Sequence, residues 1–246
     1  AHARLGLPAP TDPHRFSAEA HEVLLRDLER RAPAGESAEL EVVAARGSAD
    51  VRLVTLADEG DYDLVLVGQR KQSLVEQLWY GSVGRGVLRA SPVSVACVPP
   101  RADDPAPTLG PPRVILVGTD LEEPGQRALA QALALLGRGG SLHLAHVVEP
   151  VSSPAEAFAH RDRAWHRLTR TGTDETREAG VSVERHLLEG EPAAQLTALA
   201  QRLGADLLVV AARSRHAVTR ALLGSVTRSL VESAELPVLV VPVPVA

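Results

Sequence analysis

The segment DLLVVAARSRHAVTRALLGSVTRSLVESAELPVLVVP, from Asp206 to Pro242, has an earlier echo in DLVLVGQRKQSLVEQLWYGSVGRGVLRASPVSVACVP, from Asp63 to Pro99. Each copy reads as an apolar strand, a polar loop, a Gly-Ser pair opening a helix and a second apolar strand led by proline. Gly47 and Gly190, Asp63 and Asp206, Gly81 and Gly224, and Ser82 and Ser225 all share one offset of 143 residues, and Pro92 answers Pro237 after a small length difference. A chain so written is restricted to folds that use this unit twice. The Gly-Ser pair also carries a chemical implication. The first amides of a helix are unpaired and lie at the positive end of its macrodipole, so this start suits an anion.

At 246 residues the chain is long enough for two domains, each with its own core. The boundary between them is legible in PPRADDPAPTLGPP, Pro99 to Pro112, whose six prolines continue neither a helix nor a central strand. The expected organisation is a first domain over 1–99, a linker over 100–112 and a second domain over 113–246. The second half predicts five strands, at Arg113 to Asp120, Ser141 to Val148, Val181 to Leu188, Asp206 to Ala211 and Pro237 to Val241. Helices are expected over Gln126 to Leu136, Pro154 to Ala179 and from Gly190-Glu-Pro to Gly204, with a further one opening at Gly224-Ser225. Phe158, Trp165 and Leu168 supply the helical spacing of the second, and Pro192 sits where a missing N–H costs little. In the first half, Ala1-His2 matches Ala145-His146 and Ser17 to Arg31 is the matching helix. Nothing there answers Arg113 to Leu144, so the natural protein is expected to carry roughly 30 to 40 further N-terminal residues, a β-α-β opening.

Strands alternating with helices make parallel sheets covered on both faces. The expected fold class is therefore α/β, two doubly wound parallel-sheet domains, the first lacking its opening strand and helix. Ligands of such sheets settle beyond the carboxyl ends of the strands, which directs attention to Asp120 and Ala211.

Composition removes several alternatives. A net charge of −5, with scattered basic residues, leaves no electrostatic footprint for nucleic acid or an anionic membrane. Aromatics make up 2% of the chain, which argues against base-stacking platforms. No apolar run approaches the roughly 18 residues of a membrane span and no leader-like segment opens the chain, so a cytoplasmic protein is expected. The single cysteine, Cys97, lies in the apolar run PVSVACVP and is expected to be a buried thiol. No protein-bound metal is expected. His143 and His146, three apart in a strand, point to opposite faces, and His160 and His166 are poorly spaced on a helix. No G-x-S-x-G elbow, G-x-G-x-x-G fingerprint or Walker A motif is present. Asp63 and Asp206, each preceding a buried strand, are expected to be structural.

With the repeat and its strand-loop-helix order in view, both halves resemble the universal stress protein family. The resemblance implies five-stranded α/β domains, the motif G-x2-G-x9-G-[ST] after strand four in the nucleotide-binding members, and an acid ending strand one. In the second half it selects Asp120, Val147, Ala211, Arg213, Ser214, Gly224, Ser225 and Val226. In the first half it selects Gly68, Arg70, Lys71, Gly81 and Ser82. The sequence departs from the motif in both copies: Lys71 replaces one glycine of the first, and Ala211 and Ser214 replace two of the second. Lys71 is the only lysine beside 25 arginines, and its ammonium could offset a lost backbone contact to phosphate. The resemblance implies an adenine nucleotide, ATP first, bound by a stress-response regulator without catalysis. A nucleotide-independent scaffold for a protein partner and a slow nucleotide hydrolase are the alternatives. Two simpler readings stay open: the Gly-Ser serines could act only as helix caps, and Asp120 could serve only its own loop's amides. The fifth strands, Val93–Val98 and Val238–Val241, are expected to pair with each other within the chain, with a proline at each start suited to a sheet edge. Pairing of two copies of the chain remains compatible with this.

Overall fold

The apolar runs become strands and the amphipathic stretches become helices in a computed structural model that describes residues 22, 26, 47–68, 82–99, 111–212 and 223–243. The chain divides into two compact units, residues 1–52 and 53–246. Of the expected helix Ser17 to Arg31, Glu22 and Arg26 are described, both helical and joined as an ion pair one turn apart. The first-half elements are helix α1 (Ala49–Glu59), strand β1 (Leu64–Gly68), helix α2 (Ser82–Ala90) and strand β2 (Ser94–Val98). The second half follows with β3 (Val114–Gly118), α3 (Glu123–Leu135), β4 (Ser141–Val148), α4 (Pro154–Arg170), α5 (Thr173–Glu178) and β5 (Val183–Glu189). It ends with α6 (Pro192–Leu203), β6 (Leu207–Ala211), α7 (Ser225–Ser233) and β7 (Val238–Val241). Most of the proposed linker lies outside the described residues.

These strands form one sheet of seven, in the order β1-β2-β7-β6-β3-β4-β5. All neighbours are parallel except β2 and β7, which run antiparallel with Val95 opposite Val240, Ala96 opposite Leu239 and Cys97 opposite Val238. The expected pairing of the two fifth strands within the chain is therefore present. Their expected place at a sheet edge is not: both are interior. Each proline stands just before its ladder, where its missing N–H interrupts nothing, and the Pro237 carbonyl accepts from the Leu208 amide at 3.0 Å.

Two layers of core cover the sheet. On one face Leu116, Ala145, Leu208 and Val238 meet Leu196, Leu199 and Ala200 of α6 and Leu230 and Val231 of α7. On the other, Ile115, Val117, Leu142, Leu144, Val209 and Leu239 meet Ala128, Leu129 and Ala132 of α3 and Ala164 and Leu168 of α4. The near-continuous apolar strands follow from burial on both faces. Cys97 is wholly buried between them, and desolvation pushes its thiol up to about 12, so it is a packing residue.

Local chemistry sets the helix ends. Gly190 takes φ 131, the Glu191 carboxylate accepts from the Ala193 and Ala194 amides at 3.1 and 2.6 Å, and Pro192 opens α6. Gly204 closes it in the left-handed conformation. Gly47 repeats the positive φ, at 103, as its offset from Gly190 predicts. The expected helix Pro154 to Ala179 is broken instead into α4 and α5 at Thr171-Gly172. There the Gly172 φ is 67, a Cβ on it would strike Leu129, and Arg185 holds the Leu168 and Thr171 carbonyls, both at 3.1 Å. Of the three large residues that spaced this helix, only Leu168 is buried; Phe158 and Trp165 are exposed. No helix among the described residues is long and apolar enough to cross a membrane.

Candidate functional site

β3 and β6 are hydrogen-bonded in parallel, with Gly118 level with Val210, so the residues leaving their carboxyl ends emerge side by side. Asp120 leaves the first and Ala211 closes the second. The Ala211 carbonyl accepts from the Thr227 hydroxyl at 3.3 Å, which ties the first turn of α7 to the same strand end. Val147 stands two residues beyond Ala145, just as Asp120 stands two beyond its register partner Gly118. Asp120, Val147, Ala211, Gly224, Ser225 and Val226 are thus gathered at one end of the sheet. Arg213 and Ser214 lie outside the described residues.

At the start of α7, Gly224 occupies the cap position and Ser225 is the first helical residue, so the cap residue has no side chain to accept from the opening amides. The reading of Ser225 as a plain helix cap is thereby corrected: the hydroxyl sits one position too late, because the glycine supplies the extended backbone that a cap requires. The first amides of this nine-residue helix lie at the macrodipole's positive end, where an acceptor is favoured. Ala211 belongs to an extended strand, and among described non-glycine residues only Leu121 has positive φ. Replacement of the motif glycine by Ala211 therefore carries no left-handed strain.

The β3–α3 loop holds Asp120. One Asp120 carboxylate oxygen accepts from the Glu122 amide at 3.0 Å, as the simpler reading expects, and the Thr119 hydroxyl oxygen accepts from the Leu121 amide at 3.0 Å. The loop folds tightly onto α3, since a Cβ at Gly125 would collide with the Thr119 hydroxyl and come within 3.1 Å of Asp120 Oδ1. Arg167, from α4, donates to the Leu121 carbonyl at 2.7 Å and to the Glu122 carboxylate at 2.9 Å. From β4, His146 places Nδ1 2.8 Å from the Thr119 carbonyl; a carbonyl only accepts, so Nδ1 carries the proton. Burial holds this imidazole below its ordinary pKa, against the opposing pull of that hydrogen bond. Thr119, Gly125, His146 and Arg167 are supports that the motif does not announce. The only sequence signal for His146 is the Ala-His doublet repeated at Ala1-His2.

In the first half Gly68 ends β1 and α2 begins at Ser82. Arg70, Lys71 and Gly81 lie outside the described residues. Asp206 proves structural as expected, its Oδ2 accepting from the Arg113 and Val114 amides at 2.8 and 2.9 Å.

A five-stranded run ordered β7-β6-β3-β4-β5, with an acid after its first strand and a Gly-Ser helix start after its fourth, defines an α/β domain of the universal stress type. The Universal stress protein family model matches residues 3–99 and 112–242, and the chain belongs to that family, in two copies. A universal stress protein of Mycobacterium tuberculosis strain H37Rv is 26% identical over 244 residues, spanning 94% of this chain and 73% of its own length. One from Methanocaldococcus jannaschii is 39% identical over 67 residues, 27% of this chain, and the match spans 39% of that relative's length. Among solved structures, a universal stress protein from Archaeoglobus fulgidus superposes with a TM-score of 0.62 at 25% identity, covering 91% of this chain and 76% of its own. A putative universal stress protein from Pseudomonas aeruginosa reaches 0.63 at 19% identity, covering 94% and 80%, and shows the same fold.

Proposed function

We propose that this universal stress protein binds an adenine nucleotide, ATP first among them, at the second-half site and acts as a stress-response regulator without catalysis. The observation that carries the reading is the start of α7 at Gly224-Ser225, whose cap residue has no side chain, tied to the end of β6 beside the Asp120 loop. Phosphate oxygens take the opening amides and the Ser225 hydroxyl, while Asp120 and Val147 flank the adenine-ribose side. No residue described in this loop region is positioned as an evident base for water, which ranks slow hydrolysis last. A second reading, a nucleotide-independent scaffold, is supported by Phe158 and Trp165, exposed by 75% and 42% and seven residues apart on α4. That spacing puts both on one side of the helix.

Calorimetry with ATP, AMP and cyclic AMP, on the parent and on Gly224→Val, tests the proposal. Saturable heat with at least one nucleotide is expected, together with a loss of about tenfold or more in the variant, or ~1.4 kcal/mol. Absence of heat with all three removes nucleotide binding by this chain and leaves the scaffold. Unchanged affinity in the variant moves the site away from Ser225.

A further inference from the structure

At the other end of the same domain, three donor groups that are scattered in sequence converge. His143 is the third residue of β4, and Glu184 and His186 lie near the start of β5. The parallel register sets His143 opposite Glu184 and Ala145 opposite His186, so all three side chains leave the sheet on the face covered by α6. His143 Nδ1 stands 3.1 Å from His186 Nε2. The Glu184 carboxylate spans both rings, one oxygen 3.6 Å from His143 Nδ1 and the other 3.8 Å from His186 Nε2.

We propose that His143, Glu184 and His186 form a site for a divalent transition metal of the zinc class. Donors at about 2.0–2.1 Å around a tetrahedral ion stand about 3.3–3.4 Å from one another. The three observed separations fall on either side of that value, so small rotations of the side chains close the triangle on one ion. Two imidazoles and a carboxylate are a donor set that zinc accepts, with a fourth position left for water. Each imidazole binds as the neutral ring, with its remaining proton on His143 Nε2 and on His186 Nδ1. The histidine side chains are 10% and 16% exposed and therefore held in place, whereas Glu184 is 67% exposed and gives the ion an entrance. Arg202, in the last turn of α6, is the cation whose field reaches His186, and the Glu184 carboxylate opposes it. The alternative is a proton shared between the two rings in place of an ion. It needs nothing from Glu184 and predicts no metal binding.

The test uses the full chain free of any affinity tag. Zinc is titrated by calorimetry and cobalt(II) by its visible absorption, which is intense only in a tetrahedral field. The expected result is one tight equivalent and a tetrahedral cobalt spectrum. His186→Ala and Glu184→Gln, checked for folding by circular dichroism, are expected to abolish the spectrum or weaken binding beyond the about 10- to 100-fold of an outer-shell change. His166→Ala, on the far side of the sheet, is expected to bind as the parent does. Failure of the parent to bind zinc overturns the proposal, as does a tetrahedral cobalt spectrum with affinity within about 100-fold of the parent in either His186→Ala or Glu184→Gln.

Discussion

Leu121 takes a left-handed backbone, φ 62, that an unbranched glycine would adopt freely. Such a conformation costs a side-chain-bearing residue about 1–2 kcal/mol. The surroundings offset it: its side chain is buried in the core under α3, its amide donates to Thr119, and its carbonyl accepts from Arg167. The neighbouring His146 offers a sharper test. Burial lowers its folded pKa, so as pH falls through the ordinary histidine value of about 6.5 the unfolded chain takes up the proton first. The stability tied to the neutral ring is complete above that pH and declines as pH falls toward the folded value. Urea unfolding at pH 7.5 and 5.5 is expected to show a lower midpoint at 5.5 in the parent. The decline should be shallower in His146→Gln, whose amide still donates to the Thr119 carbonyl; an equal decline would separate His146 from the effect.

Between elements, single polar side chains do the joining. Asp206 precedes β6 and its carboxylate takes the Val114 amide that opens β3 and the Arg113 amide just before it, locking the two strands at their starts. Asp206→Ala is expected to lose about 1–2 kcal/mol by urea unfolding, reduced from the full value of charged hydrogen bonds because the group is exposed. Asp206→Asn, which keeps one acceptor oxygen, should lose less. This is also the scale at which sequence and structure part company. Strands buried on both faces, such as β3, β6 and β7, declare themselves as unbroken apolar runs, and the more polar β4 and edge strand β5 also fall where their sequence places them. The interruption at Gly172 does not, because it answers Leu129 packed against it from another helix. Helical spacing likewise names Phe158, Trp165 and Leu168 alike, although only Leu168 faces the sheet. Of the candidate site, Asp120 and Gly224-Ser225 are readable from motif and order. The His143–Glu184–His186 triangle is not, since it exists only once β4 and β5 are in register.

At the scale of the molecule, the β2–β7 ladder is the only described join between first-half and second-half strands. Ala96 and Leu239 face each other across it within the core, at 5% and 1% exposure. An unpaired charge here is severe, so Ala96→Glu is expected to cost about 3 kcal/mol or more. Hydrogen exchange read by mass spectrometry should show β1 and β2 losing protection while β3 to β6 keep theirs. Uniform loss across all seven strands would mean that the halves fold only together.

That single antiparallel join also gives the sheet two heads. The strands of one half run opposite to those of the other, so the carboxyl ends of β1 and β6 lie at opposite rims. On the proposed reading, a nucleotide held at the second-half rim would therefore lie at the opposite edge of the sheet from the carboxyl end of β1.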